Sequence, residues 1–174
     1  MSNNFLYWKI FFGALLLCSR SVYAGALVYA GMGMGPAQST ADKQFDLEYG
    51  VNLFVGVQTE YYITYELGVV RFVTKNSPGE NEDKVLTQVT GSVLGHLPIG
   101  DSSLFARVGA SLYQYRNSSE QLDDVAIPTV GAGLDFGIKP LITLRLEWQR
   151  YIGVEYNSTE FDIDNTRLGL IFYF

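Results

Sequence analysis

Cysteine and histidine are almost missing from this sequence, and their scarcity excludes several classes of site. Cys18 is the only cysteine and His96 is the only histidine among the 174 residues. Because Cys18 falls in an N-terminal segment that we expect to be removed, the remaining chain has no thiol for a disulfide or a metal thiolate. A structural zinc site needs four ligands drawn mainly from Cys and His. We therefore predict no metal site, and no motif indicates a cofactor.

A long apolar run is also missing, which excludes a membrane-spanning helix. The longest run extends from Ile10 to Leu17, directly after the charge of Lys9, whereas a spanning helix needs roughly 20 apolar residues. With small residues at Val22 and Ala24, the segment is typical of a secretory signal peptide. We predict cleavage after Ala24, which leaves residues 25–174 as one domain. A lipoprotein signal ending at Cys18 is a weaker alternative, because Leu17 stands where such signals have Gly or Ala.

Positive charge is scarce, and this scarcity argues against nucleic acid as a partner. Without Lys9 and Arg20 the chain has 10 basic and 18 acidic residues, a net charge of −8. Phosphate backbones are bound by basic faces. The acidic balance does not by itself indicate an enzyme.

The pattern that is present from Phe45 onward is an alternation of apolar and polar residues with a period of two. Such a period places alternate side chains on opposite faces of a β-strand, and no helix would do so. We predict eight strands, in which the first is the least regular and no convincing helix follows the signal. The predicted segments are Ala26–Gly35, Phe45–Val57, Tyr61–Val69, Val85–Leu97, Leu104–Leu112, Thr129–Ile138, Ile142–Gln149 and Arg167–Phe174.

The connections between these strands alternate strictly between short and long. The short ones are Gln58–Glu60, Pro98–Ser103 and Lys139–Leu141, and the longer, polar ones are Pro36–Gln44, Thr74–Lys84, Arg116–Val125 and Val154–Asp164. Outer-membrane barrels have short periplasmic turns, longer external loops and an even number of strands. The sequence therefore predicts an all-β fold, an eight-stranded antiparallel up-and-down transmembrane β-barrel.

The two strand faces differ in a way that favours a membrane over water around the barrel. Eight glycines share the face that carries the charges, and the interior of an eight-stranded barrel has little space to fill. The opposite face is apolar and aromatic, which suits hydrocarbon, because a charge at mid-depth there costs about 2–4 kcal/mol. Phe45, Tyr61, Trp148 and Phe174 lie near strand ends on this outer face, where aromatic rings sit at headgroup depth.

Taken together, the signal peptide, the eight strands and the ending Arg167 to Phe174 resemble the OmpA/OmpX-like family of small outer-membrane β-barrels. The resemblance covers all of residues 25–174 and implies a location in the outer membrane of a Gram-negative bacterium. It also implies outer-membrane lipid, lipopolysaccharide and the barrel-assembly machinery as partners of a monomer. Leu170, Phe172 and Phe174 are similar to the last-strand signal that this machinery recognises.

Charged residues on the inner face are expected to pair, because unpaired charges in so narrow a lumen would not tolerate desolvation. We predict a structural ion network, formed by Asp46, Glu48, Glu66, Arg107, Asp135, Arg145, Glu147 and Arg167. A short turn centred on Pro140 would place Asp135 directly opposite Arg145. A gated ion path is the functional alternative, but side chains fill a lumen of eight strands and no open pore is expected.

Two other functional classes are weighed against a structural or surface-interaction role. Lipid A-modifying enzymes on similar scaffolds use a catalytic His with a Ser nucleophile, but His96 is followed by Leu97 and Pro98 with no Ser two residues on. We therefore predict no catalytic residues. A soluble periplasmic, lipocalin-like barrel that binds a ligand is the other alternative. The acidic external loops suit adhesin-like binding or contact with lipopolysaccharide, and no loop residue identifies a ligand.

Overall fold

The computed structural model describes residues 26–40, 47–59, 62–74, 85–116, 122–156 and 159–174. They form eight strands, which are β1 (Leu27–Ser39), β2 (Leu47–Gln58), β3 (Ile63–Thr74), β4 (Val85–Ile99), β5 (Ser102–Arg116), β6 (Leu122–Lys139), β7 (Ile142–Tyr156) and β8 (Thr159–Tyr173). Among the described residues, no helix is long and apolar enough to cross a membrane.

The strands pair in chain order and close into one antiparallel barrel, in which β8 pairs with β1. This arrangement confirms the predicted fold class. Following directly paired residues around the barrel from Tyr29 leads back to β1 at Ser39, ten residues further along the strand. A stagger of this size in an eight-stranded barrel corresponds to strands tilted by about 40° from the barrel axis. The resulting tube is narrow, which explains why side chains from opposite walls meet.

The two ends of the barrel differ in their connections. The β2–β3, β4–β5 and β6–β7 connections lie at one end together with Ala26 and Phe174, and we call it the short-turn end. Gly100 has a φ of 60° in the β4–β5 turn, a left-handed conformation that glycine adopts without strain. The opposite end carries the other four connections, and we call it the long-loop end.

Six strands, which are all except β2 and β4, extend further toward the long-loop end than the alternation predicts. β1 continues to Ser39, β6 begins at Leu122, and β8 begins at Thr159 instead of Arg167. The predicted loop over Val154–Asp164 is therefore wrong for most of its length, because β7 and β8 remain paired as far as Tyr156 and Thr159. The prediction failed because the polarity of the two faces is reversed in this part of β8. The apolar Phe161 and Ile163 are buried inside, and Asp162 and Asp164 are on the outer face.

An irregularity in β7 changes which of its residues face the lumen. The β7–β8 register shifts between Tyr151 and Val154, and Gly153 has a φ of 72° there. Its backbone N–H donates to Oδ1 of Asp162 at 3.1 Å. Because the bulge adds a residue, Tyr151 and Val154 are both buried inside the barrel although their numbers differ in parity.

Candidate functional site

Six charged side chains meet inside the barrel near its short-turn end, and each is at most 7% exposed. Three carboxylates face three guanidinium groups. We call this set the ion network, and its members are Glu66 of β3, Arg107 of β5, Asp135 of β6, Arg145 and Glu147 of β7, and Arg167 of β8. Asp46 and the side chain of Glu48, which were also predicted to belong to it, lie outside the described residues.

Arg145 and Asp135 form a bidentate pair across the β6–β7 hairpin. The two residues are directly opposite one another, as the short turn predicted, and this register is confirmed. Nε of Arg145 donates to Oδ1 of Asp135 at 2.7 Å, and Nη2 donates to Oδ2 at 2.8 Å. Two parallel charge-assisted hydrogen bonds of this kind fix the orientation of both side chains.

Other ion pairs of the network cross the lumen. Nη1 of Arg145 donates to Glu66, and the strands β7 and β3 that carry them lie on opposite walls of the barrel. Arg107 of β5 pairs with Glu66 and also with Glu147, whose Oε1 lies 2.5 Å from Nε of Arg107. Nη2 of Arg167 donates to Oε2 of Glu147 at 2.8 Å. Each buried charge therefore has an opposite charge beside it, which offsets the cost of its desolvation.

Aromatic rings pack around the guanidinium group of Arg145. Its Cζ atom lies 4.6 Å from the ring centroid of Phe105 and 5.4 Å from that of Phe54. The hydroxyl of Tyr29 donates to Glu66. These three rings lie over glycines. A methyl group added at Gly31, Gly56 or Gly133 would meet ring atoms. The inward glycines thus provide the space that the rings fill.

His96 lies at the short-turn end in contact with polar side chains from three other strands. Its Nε2 is 3.1 Å from Oγ1 of Thr64, and its Nδ1 is 3.3 Å from Oγ of Ser103 and 3.9 Å from Oδ2 of Asp135. Thr64 and Ser103 were not predicted as partners of His96, although the β3–β4 and β4–β5 pairing places them diagonally opposite it. Among the described residues, no group of three or more His, Cys, Asp and Glu side chains is arranged to hold a metal ion.

A buried apolar cluster, which the strand alternation did not predict, lies across the lumen near the long-loop end. The rings of Phe72 on β3 and Tyr151 on β7 meet edge to face with centroids 5.3 Å apart, which again spans opposite walls. We call this cluster the apolar cap, and it consists of Ala37, Val70, Phe72, Tyr113, Ile127, Tyr151, Val154, Phe161 and Ile163. The alternation of Phe161 and Ile163 with Asp162 and Asp164 was the signal that could have revealed it.

A layer of buried polar side chains lies between the ion network and the apolar cap. The inward-facing residues of β7 are, in order toward the long-loop end, Glu147, Gln149 and Tyr151. On β8, Asn165 lies between Ile163 and Arg167. We call this set the middle polar layer, and it consists of Asn52, Gln88, Thr90, Ser111, Thr129, Gln149 and Asn165. Within it, Oγ1 of Thr90 and Oγ of Ser111 lie 2.5 Å apart.

The outer face changes from apolar to polar at the level of the apolar cap. On β7 and β8, Arg150 donates Nε and Nη2 to the carboxylate of Asp164 at 2.9 and 2.6 Å. The indole Nε1 of Trp148 donates to the same carboxylate at 3.1 Å. Trp148 faces outward as predicted, but it lies in the middle of β7 because the strand continues beyond it. Phe45 and Tyr61 lie outside the described residues.

The last strand presents its apolar residues on the outer face. Leu170, Phe172 and Phe174 are all exposed there, and Phe174 is 79% exposed. Below the level of Arg150, the exposed residues on the outer face are mainly apolar, and they include Leu53, Val93, Val108, Leu146 and Leu168. The barrel therefore has a charged inside and an apolar outside over this part of its height.

This combination of closed barrel, charged lumen and apolar outer band agrees with the sequence comparison. Residues 10–174 match a family described as the outer membrane protein beta-barrel domain. The chain belongs to this family. Its location is therefore the bacterial outer membrane, which excludes the soluble periplasmic alternative. No curated protein matches the chain.

Solved outer-membrane barrels share the fold at low sequence identity. Neisserial surface protein A is 13% identical with a TM-score of 0.65, and the match covers 87% of this chain and 98% of that one. The N-terminal barrel of Pseudomonas aeruginosa OprF is 12% identical with a TM-score of 0.56, over 87% and 98% of the two chains. Ail, the attachment invasion locus protein of Yersinia pestis, solved with a heparin analogue, is 14% identical with a TM-score of 0.51, over 86% and 97%.

Proposed function

We propose that this outer-membrane barrel is a closed, non-catalytic support that holds its long-loop end at the cell surface for interaction with other molecules. The observation that carries the proposal is that side chains from opposite walls meet at two levels of the lumen. Arg145 and Glu66 meet in the ion network, and Phe72 and Tyr151 meet in the apolar cap. A barrel of eight strands has room for side chains but not for an aqueous channel beside them.

A permeability assay tests the absence of a pore. Purified protein refolded into liposomes should admit a small sugar no faster than protein-free liposomes do, whereas a porin reconstituted in parallel should admit it rapidly. Steady sugar entry through the unmodified barrel would refute closure.

The surroundings of His96 support a non-catalytic role. In a serine-type triad the nucleophile and the acid bind different ring nitrogens of the histidine, but Ser103 and Asp135 both lie beside Nδ1. Thr64 lies beside Nε2, but it is fully buried and presents no surface to a substrate. Lipid A from cells that express the protein or its His96→Ala variant should therefore have the same mass spectrum. A change that requires His96 would favour a lipid-modifying enzyme.

An interaction role for the long-loop end is supported by its position on a rigid base. The apolar cap fills the lumen directly beneath this end, and the paired β7–β8 hairpin continues above it. The structurally similar Ail is an attachment protein by its printed name. The external segments of this chain are acidic, with Glu80, Glu82 and Asp83 in one of them, so a basic partner surface fits best.

Adhesion of intact cells tests this role. Cells that display the protein should adhere to a surface coated with basic matrix proteins better than cells that display a variant with residues 75–84 replaced by a short Gly-Ser linker. Salt should weaken the difference, because screening reduces attraction between exposed charges. Equal adhesion at equal surface amounts would contradict the proposal.

Contact with lipopolysaccharide is proposed at the outer rim of the barrel, where Arg71 is exposed on the outer face of β3 opposite Thr87. Its guanidinium group suits the phosphates of lipid A. The Arg71→Gln variant should lose stability relative to the unmodified barrel in bilayers that contain lipopolysaccharide, but not in bilayers of phospholipid alone. Equal stability in both bilayers would argue against this contact.

Recognition by the barrel-assembly machinery is proposed for Leu170, Phe172 and Phe174. Deletion of Phe174 should lower the amount inserted in cells more than it lowers the stability of protein refolded in detergent. Equal losses would mean that the residue only contributes to packing.

A further inference from the structure

The first strand, β1, presents two methionines to the hydrocarbon. Met32 is 53% exposed and Met34 is 61% exposed on the outer face of the barrel. The other residues of the segment Gly31–Gly35 are glycines, so these two are its only side chains. The remaining sulfur-containing residues of the sequence, Met1 and Cys18, fall in the segment that we expect to be removed. All the sulfur of residues 25–174 therefore lies on one strand, on the face that contacts lipid.

Apolar side chains surround both methionines. Met32 is directly paired with Leu53 of β2 and Leu170 of β8, and Met34 is directly paired with Leu168 of β8. All three leucines are exposed on the outer face. The thioethers therefore lie in hydrocarbon, and the reagents that accumulate around them are apolar molecules.

The two thioethers are close enough to react together. Side chains two residues apart on a strand point to the same face, and their Cα atoms lie about 6.6 Å apart along it. A methionine side chain has three rotatable bonds, so the sulfur atoms of Met32 and Met34 can approach each other. The glycine between them, Gly33, points into the lumen and leaves the space above the strand free. A reaction that uses two thioethers at once is therefore possible on this face.

We propose that Met32 and Met34 form a site that is modified by singlet oxygen dissolved in the outer membrane. Dioxygen is apolar, and its excited singlet state attacks the electron-rich sulfur of a thioether. The first sulfur forms a bond to one oxygen atom and becomes a sulfur-bound peroxide. The second sulfur takes the outer oxygen atom as the O–O bond breaks, and both methionines become sulfoxides. Each sulfur is oxidised by two electrons and dioxygen is reduced by four, so no proton, water or other reactant is needed.

The presence of a second sulfur decides the outcome of this reaction. A lone thioether in hydrocarbon has no neighbour that captures the outer oxygen atom of the peroxide, which then releases dioxygen and leaves the sulfur unchanged. The neighbouring thioether makes the reaction permanent. The pair therefore removes singlet oxygen from the lipid around the barrel, and this role does not depend on what the long-loop end binds.

Isotope labelling in vesicles tests the proposal. The refolded barrel in phospholipid vesicles is illuminated with a membrane-dissolved porphyrin sensitiser under equal amounts of ¹⁶O₂ and ¹⁸O₂. Mass spectrometry then gives the mass of the tryptic peptide over residues 25–43, which contains both methionines. Doubly oxidised peptide should carry two atoms of the same isotope, because both atoms come from one molecule of dioxygen. A statistical mixture, in which half of these peptides carry one atom of each isotope, would overturn the proposal.

Two variants provide matched controls. Met34→Leu should slow the oxidation of Met32 severalfold, because the second thioether is missing. Adding Val108→Met to this variant restores the number of thioethers on the lipid-facing side of β5, across the barrel from β1, and the oxidation of Met32 should remain slow. Oxidation of Met32 at the unmodified rate in either variant would show that the pair does not act together. A gel mobility that changes on boiling shows that each variant has folded.

Discussion

The lower and upper parts of the barrel have opposite polarity, although the same strands run through both. In the lower region, which contains the ion network, charges point inward and residues such as Val108 and Leu168 point outward. In the upper region, which contains the apolar cap, Phe72 and Ile163 point inward and Arg71 is exposed outside. The difference shows that each face matches the medium around the barrel, which is hydrocarbon below and water above.

The two regions are consequently held together by different forces. The lower region gains little from burying apolar side chains in protein, because its apolar face already lies in lipid, and its interior depends on paired charges. The upper region has an apolar core surrounded by water, as a soluble protein has, and the hydrophobic effect stabilises it. Substitutions at matched positions in the two regions should therefore have different effects.

Removal of one charge from the ion network should have the largest effect. Arg145→Gln removes one ionic partner from Asp135 and one from Glu66. The loss of one member of a buried pair typically costs about 3–5 kcal/mol of stability. Asp135→Asn should cost less, because Arg145 keeps Glu66. The double variant should recover part of the loss. Urea unfolding in detergent measures all three, with Arg71→Gln in the upper region as a control, and strictly additive effects would show that the pair does not interact.

Truncation in the apolar cap should come next. Ile163 is fully buried, and Ile163→Ala should lower the free energy of unfolding by about 2–5 kcal/mol, as in a soluble core. Leu168→Ala in the same strand is the matched control, because Leu168 is 53% exposed on the lipid side and packs little against protein. If both variants lose the same stability in a bilayer, the proposed difference between the regions is wrong.

An arginine placed on the outer face should distinguish the two surrounding media. Val108→Arg places a charge at the exposed centre of the lower region and should cost about 2–4 kcal/mol in a bilayer. Thr87→Arg, on the outer face of the upper region, should cost about 0–1 kcal/mol. Unfolding titrations in phospholipid vesicles give both values. Equal costs would mean that the boundary of hydrocarbon does not lie between these two levels.

Added methyl groups should change stability differently on the inner and the outer face of the lower region. A methyl group at Gly133 would meet the carbonyl oxygen of Leu146 and the ring of Phe105, and Gly133→Ala should cost about 1–3 kcal/mol. At the outward Gly91 there is nothing within 4 Å of the added carbon, so Gly91→Ala should leave stability unchanged or slightly raised. A neutral Gly133→Ala would show that the ring of Phe105 moves aside easily.

The exposed ion pair of the upper region should contribute least. Arg150→Gln breaks the bonds to Asp164, but both side chains are in contact with solvent, and exposed ion pairs contribute little to stability. Its urea midpoint should change less than that of any other destabilising variant above. A loss as large as that of Arg145→Gln would place this pair inside the hydrocarbon.

The sequence alone was sufficient for the strand number, the inward face and one ion pair. These depend on local patterns, because a period of two assigns faces and the short turn at Pro140 restricts the register of β6 and β7, which placed Asp135 opposite Arg145. Each of these inferences uses residues close together in the chain.

Only the tertiary structure decided which distant side chains meet. Glu66 contacts Arg107 and Arg145 because barrel closure and stagger bring β3, β5 and β7 to one level. The apolar cap was missed for a related reason, since alternation shows that two faces differ but does not show at which height along a strand the surrounding medium changes from hydrocarbon to water. Phe161 and Ile163 point inward because the strand has left the hydrocarbon there, and the height of a residue in the membrane is set by the assembled barrel.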